Sequence, residues 1–147
     1  MHTIEYSHWI NTSHRLVNHP GKCCNIHGHN YKITLVMKAD HLNALGMVED
    51  FGDIKSTFGK WLDSNWDHRV LLWEDDPLLQ LIPLSALKVY GAVLVPFNPT
   101  AENMAHFLLY NQPWAKQLYA QRGKKVIAVQ VEETPNCTAT ATLDGGY

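Results

Sequence analysis

The sequence predicts an α+β fold in which helices cover one face of an antiparallel sheet. Three observations predict it. Strand-like segments are paired at both ends of the chain, two helix-like segments lie between them, and 147 residues suit one domain, 1–147, with its own core. The element order is then strand, strand, helix, helix, strand, strand.

Residues 4–16, IEYSHWINTSHRL, are rich in β-prone types and run as a strand into His14. Pro20 and Gly21 make VNHPGKCC a loop. In HGHNYKITLVMKAD, Tyr31, Ile33, Leu35 and Met37 alternate with Lys32, Thr34 and Lys38, which predicts a second strand, although Val36 breaks strict polarity. A turn follows at HLNALG. DFGDIKSTFGKWLDSN places Phe51, Ile54, Phe58, Trp61 and Leu62 on one helical stripe, with Asp50 as N-cap. Residues 69–98 lack a clear period. Their acidic-proline stretch predicts a turn, and YGAVLVPF a short buried strand. PTAENMAHFLLYN starts a second helix at Pro99 or Thr100, and Pro113 interrupts or restarts it before WAKQLYAQRGKK. In KVIAVQVEET, Ile127, Val129 and Val131 share a face whose parity continues to Glu133, and CTATATL is the last strand.

Twelve basic against fourteen acidic residues give a net charge of −2, with no basic footprint for nucleic acid and no polybasic run for a membrane surface. No apolar run approaches the ~18 residues that cross a bilayer. The start, MHTIEYSHWI, lacks a signal-peptide layout, so the expected location is cytoplasmic. Three cysteines without an export signal point to metal binding or reactivity rather than a disulfide.

The ligand-type residues cluster in CCNIHGHNY. On a strand, the one-residue gap between His27 and His29 points both imidazoles to one face, and Gly28 leaves the opposite face uncrowded. His14, at the end of the preceding strand, is the candidate third ligand for zinc. Three histidines leave a coordination position open for catalysis. Adding Cys23 would close the shell into a structural site, so spacing alone leaves both arrangements standing.

Six short motifs then occur in order: SHRL, C-x3-HGHNY from Cys23, GMVEDF, WDHRVLL, NPTAEN and VEETPNC. Through them the chain resembles the 6-pyruvoyltetrahydropterin synthase family from His14 to Glu133. Its x3 spacing resembles the bacterial 6-carboxytetrahydropterin synthase branch, linked to queuosine and 7-deazaguanine formation. The resemblance implies the tunnelling fold, with a four-stranded antiparallel sheet and two helices on one face. It also implies sheets joined in rings that usually stack in pairs, as trimers within a hexamer, with active sites at subunit interfaces. The implied activity is conversion of 7,8-dihydroneopterin triphosphate to 6-carboxy-5,6,7,8-tetrahydropterin with release of acetaldehyde and triphosphate. The alternatives are triphosphate elimination to 6-pyruvoyltetrahydropterin and a zinc-stapled binding module without catalysis.

By position, the resemblance makes His14, His27 and His29 the zinc ligands and Cys23 the general base. Asp67 and His68 work with that cysteine, and Glu133 anchors the pterin ring and joins the proton relay. Thr100 and Glu102 complete the pterin pocket. These residue types suit the chemistry. A thiol with an ordinary pKa of about 8.5 needs a partner to act as a base near neutrality. A carboxylate can accept two hydrogen bonds from the 2-amino and ring N–H edge of a pterin. Taken singly, Asp67–His68 also reads as a surface pair, Glu133 as a strand end and Thr100 as a helix cap. Cys24 acquires no role.

Overall fold

The computed structural model describes residues 1–111, 114 and 123–143. Strand β1 (His2–His14) pairs antiparallel with β2 (His27–Ala39) along its whole length, from His2 opposite Ala39 to His14 opposite His27. Period-two alternation divides β1 into two faces. Ile10, Thr12 and His14 are buried, whereas Trp9 on the other face is 60% exposed.

The sheet is larger than the predicted four antiparallel strands. It has six strands in the order β4-β3-β1-β2-β5-β6 and is mixed. The two additional strands, β3 (Val70–Trp73) and β4 (Ala92–Val95), come from the segment without a clear period. β3 runs parallel to β1 at Ser13 and His14, and β4 runs parallel to β3. The short helices α3 (Leu78–Leu81) and α4 (Leu84–Val89) lie in the crossover that two parallel strands require. β4 falls within the predicted YGAVLVPF strand. β3 was not foreseen because VLLW is four apolar residues with no alternation. Leu71 and Leu72 point to opposite faces and both are fully buried.

Asp50 caps the first helix as expected, its carboxylate accepting the Gly52 N–H at 2.7 Å. The helix runs as α1 (Phe51–Ile54), a π-helical turn at Lys55–Gly59, and α2 (Lys60–Asn65). Ile54, Phe58 and Leu62 are buried and Trp61 packs against the core, but Phe51 is 53% exposed. It lies a turn ahead of the covered surface and drops out of the predicted stripe. Gly59 lets this helix approach β1 closely. A Cβ there would lie 3.0 Å from His8 Nδ1 and 3.2 Å from the Tyr6 hydroxyl. His8 is itself fixed by Asp63, Nε2 to Oδ1 at 2.7 Å. Gly59→Ala is therefore expected to destabilise the fold by about 1–3 kcal/mol through overpacking. Denaturant unfolding checks this, and an unchanged midpoint would show that helix and strand can part freely.

Helix α5 (Ala101–Asn111) is capped by Thr100, whose hydroxyl accepts the Asn103 N–H at 3.1 Å. Met104, Leu108 and Leu109 of α5 share one core with Phe58, Leu62 and Trp66 and with Ile10, Tyr31, Ile33 and Leu35 of the sheet. Both predicted helices thus cover the same face. The predicted restart after Pro113 lies outside the described residues, apart from Trp114, which is buried.

Strands β5 (Lys124–Thr134) and β6 (Cys137–Thr142) complete the sheet. The predicted parity of β5 holds only in part. Opposite β2 the register jumps from Val36–Ala128 to Met37–Val126, leaving Ile127 as the extra residue. Ile127 consequently packs with Val36 and Ala128 in a separate cluster, while Val129 and Val131 stay in the main core.

Candidate metal centre

The loop-connected ends of β1 and β2 carry the imidazoles. His14 and His27 are register partners, and His29 follows two residues on, so all three side chains share the helix-covered face. One ring nitrogen from each of His14, His27 and His29 falls within 4.8 Å of the other two. His14 Nδ1 lies 2.7 Å from the Pro99 carbonyl, and His27 Nδ1 lies 2.7 Å from the Asn25 carbonyl. A carbonyl can only accept, so both Nδ1 atoms carry protons, which leaves each Nε2 as the atom free to ligate a metal. Those two Nε2 atoms are 3.2 Å apart. A contact that short needs a proton or a metal ion between the two nitrogens. His29 Nε2 is buried without a hydrogen-bond partner among the described residues. Tetrahedral coordination with Zn–N bonds of 2.0–2.1 Å places ligand nitrogens about 3.3–3.4 Å apart, so the donor set fits zinc. Burial pushes the pKa of His14 and His29 down, outweighing Glu133, which raises both. The rings therefore favour the neutral form a metal needs.

Glu133 borders this cluster. Its Oε1 lies 3.3 Å from His14 Nε2 and 3.4 Å from His29 Nε2, and it accepts the Tyr31 hydroxyl at 3.3 Å. The β5–β6 register shifts between Glu132 and Thr134, and such irregularities re-aim side chains next to functional sites. Burial, reinforced by Glu133, raises the Tyr31 pKa far above the ordinary phenol range, so this hydroxyl keeps its proton. Strand alternation alone makes Tyr31 an apolar position. Its place two residues after His29, on the same parity, was the signal that it belongs to the site. The Pro99 carbonyl carried no such signal. It is held in place through Asn98, whose side chain pairs with Val17 by accepting its N–H at 2.9 Å and donating to its carbonyl at 3.1 Å.

The other predicted residues are distributed differently. Cys23 is half-buried in the 3₁₀ turn Lys22–Cys24 of the loop joining β1 to β2, and Cys24 is beside it. Asp67 and His68 form a pair, with Oδ2 2.8 Å from Nδ1. Burial pushes the Asp67 pKa up, but hydrogen bonds from the Asn11 N–H and from His68 outweigh it and hold the carboxyl below its ordinary range. His68 has a left-handed backbone, φ 55°, with its N–H donated to the Asn11 carbonyl at 2.7 Å. Its side chain is 76% exposed and opens into a cleft with Asn11, Ser13, Gly28 and Asn30. By strand parity these residues face away from the imidazoles. Within one chain, the Asp67–His68 pair and the histidine cluster therefore lie on opposite faces of the β1–β2 ladder. Thr100 is the α5 cap described above, and Glu102 is exposed in the first turn of that helix.

Together these features define an α+β protein with a three-histidine metal-binding geometry at the end of its core. Comparison with known proteins takes the assignment further. The family model for 6-pyruvoyl tetrahydropterin synthase matches residues 3–144. The chain belongs to that family. It is 37% identical over 130 residues to the 6-carboxy-5,6,7,8-tetrahydropterin synthase of Rickettsia conorii, covering 87% of this chain and 91% of the relative. It is 35% identical over 132 residues to a probable enzyme of the same name from Halobacterium salinarum, covering 88% and 79%. In fold it is similar to an uncharacterised protein of Wolinella succinogenes, with a TM-score of 0.82, 23% identity, and coverage of 96% and 97%. It is also similar to a catalytic-residue mutant of Plasmodium vivax 6-pyruvoyltetrahydropterin synthase, with a TM-score of 0.70, 21% identity, and coverage of 96% and 98%.

Proposed function

We propose that the chain is a zinc-dependent 6-carboxy-5,6,7,8-tetrahydropterin synthase. It converts 7,8-dihydroneopterin triphosphate and water to 6-carboxytetrahydropterin, acetaldehyde and triphosphate. The observation that carries this reading is the convergence of three imidazole nitrogens in one cluster, in a chain whose curated relatives bear that enzyme's name. His14, His27 and His29 hold the metal. Zinc bound there supplies Lewis acidity toward the hydroxyl oxygens of the substrate side chain. Glu133 accepts the N–H edge of the pterin, and its half-buried carboxylate gains partners by doing so. Thr100 and Glu102 complete the ring pocket. Cys23 removes a proton from the substrate side chain, and Asp67 orients His68 to receive it or to stabilise the thiolate.

Because the imidazoles and His68 lie on opposite faces, this division of labour requires a second copy of the chain, which supports a homo-oligomer with sites between subunits. Exposed Trp9, on the same face as the His68 cleft, suits such a contact. The arrangement proposed is three-membered rings paired into a hexamer. The reaction class is a carbon–carbon and carbon–oxygen lyase, and the setting is cytoplasmic 7-deazaguanine formation leading to queuosine. No helix among the described residues is long and apolar enough to cross a membrane.

The test is incubation of the zinc-loaded protein with 7,8-dihydroneopterin triphosphate and mass spectrometry of the products. The carboxy product with acetaldehyde is expected. The pyruvoyl product alone would move the chain to the elimination reaction, and no turnover would leave a binding module.

A further inference from the structure

The cleft in front of His68 has a volume of about 480 Å³ and contains more than the Asp67–His68 pair needs. Its walls bring together Asn11, Ser13, Gly28, Asn30, His68 and Arg69. We propose that this cleft is a polyphosphate-binding site with Arg69 as its principal cation. It would hold the phosphate chain of a substrate whose ring lies at the histidine cluster of a second copy. The proposal rests on the pterin-triphosphate reading above and deepens it.

Four observations support it. First, the lining residues are rich in donors, with two amides, two hydroxyl residues, two histidines and an arginine, and they include no carboxylate. The adjacent carboxylate, Asp67, is already committed to the Asn11 N–H and to His68, each at 2.8 Å. Second, Arg69 is exposed and has no ion-pair partner among the described residues. Arg15 instead contacts the buried carboxylate of Asp76 at 3.1 Å, so its charge is spent within the fold. A guanidinium keeps its charge at any working pH and matches phosphate oxygens in pairs.

Third, the floor is open because residue 28 is glycine. A Cβ there would lie 3.0 Å from Ser13 Oγ and 3.4 Å from the Thr12 carbonyl. Fourth, the main chain on both sides is anchored. The Arg69 carbonyl accepts the Ser13 N–H at 2.9 Å, and the Asn11 carbonyl accepts the His68 N–H at 2.7 Å. The guanidinium thus projects from a fixed base. A chain of net charge −2 gains nothing from its overall field in attracting a polyanion, so a local cation has to supply the attraction. His29 borders the cleft, but strand alternation turns its ring to the opposite face, so a single ligand is expected to reach both only between two copies.

The test uses the full-length oligomer. Titration calorimetry with inorganic tripolyphosphate should show binding to the wild type and roughly tenfold or greater weakening in Arg69→Gln, with partial recovery in Arg69→Lys. Metal content should stay at the wild-type level. For the triphosphate substrate, the Arg69→Gln effect should fall on KM rather than kcat. Co-expressing Cys23→Ala with Arg69→Glu should give more activity at low substrate than either variant alone. Placing both changes in every chain should give none. Equal tripolyphosphate affinity in wild type and Arg69→Gln, or no binding to either, overturns the site. Lack of complementation overturns the second-copy arrangement. Tripolyphosphate binding that depends on Arg69 without pterin turnover would instead sink the enzymatic reading and leave the cleft standing.

Discussion

Cys23→Ala is expected to leave the metal bound and to lower turnover by roughly 10²–10⁴-fold, the range for loss of a positioned base. Among the described residues, the group able to hold an ion consists of His14, His27 and His29, without a cysteine. The thiol sits in the 3₁₀ turn of the loop that joins β1 to β2, four residues before His27. Removing a base leaves the ligands intact, whereas removing a fourth ligand would release the ion. Metal analysis alongside single-turnover kinetics separates the two. Loss of zinc from Cys23→Ala would make the cysteine a ligand and the site a closed one. Cys24→Ala, in the same turn, should retain both metal and turnover, and a reversed pattern would identify the wrong thiol.

His14→Ala should abolish metal retention and lower stability most among the three histidine variants. His14 is fully buried, whereas the side chain of His29 is 20% exposed. Truncation opens a cavity and strands the Pro99 carbonyl that accepts the Nδ1 proton at 2.7 Å. A buried unpaired carbonyl and a core cavity together cost about 2–4 kcal/mol. Any stabilisation by bound metal disappears as well, since a ligand that binds only the folded state raises stability with the logarithm of its concentration relative to Kd. Thermal unfolding with and without added zinc should show a metal-dependent shift in the wild type and none in His14→Ala. A retained shift would mean that His27 and His29 hold the ion with some other donor.

The parts of the fold legible from sequence were those with a period. β2 and β5 declared themselves by alternation, β1 by its β-prone residue types, the first helix by its stripe and cap, and His27-x-His29 by strand parity. β3 has no period because both its faces are buried. The register jump that leaves Ile127 outside the main core is a property of two strands together, so neither strand shows it alone. The site was legible as residue types but not as a placement. Asp67 and His68 follow the end of α2 and join β1 through the Asn11 main chain, and His68 shares a cleft with Asn11 and Ser13, whose strand parity is opposite to that of His14. No motif records a face. Tyr31 and the Pro99 carbonyl were missed for a related reason, since hydrogen bonding to a ligand histidine leaves no mark on composition.

The three imidazoles span only the stretch from His14 to His29 and belong to a single two-stranded ladder. The groups that orient them come from far along the chain. Pro99 lies 85 residues beyond His14, and Glu133 reaches Tyr31 across 102 residues. Loop closure favours the short-range ladder, so during folding this ladder can form before the distant strands arrive. The three ring nitrogens are thus brought together by local pairing, whereas the Pro99 carbonyl that fixes the His14 tautomer and the Glu133 carboxylate beside it depend on the last long-range contacts to form.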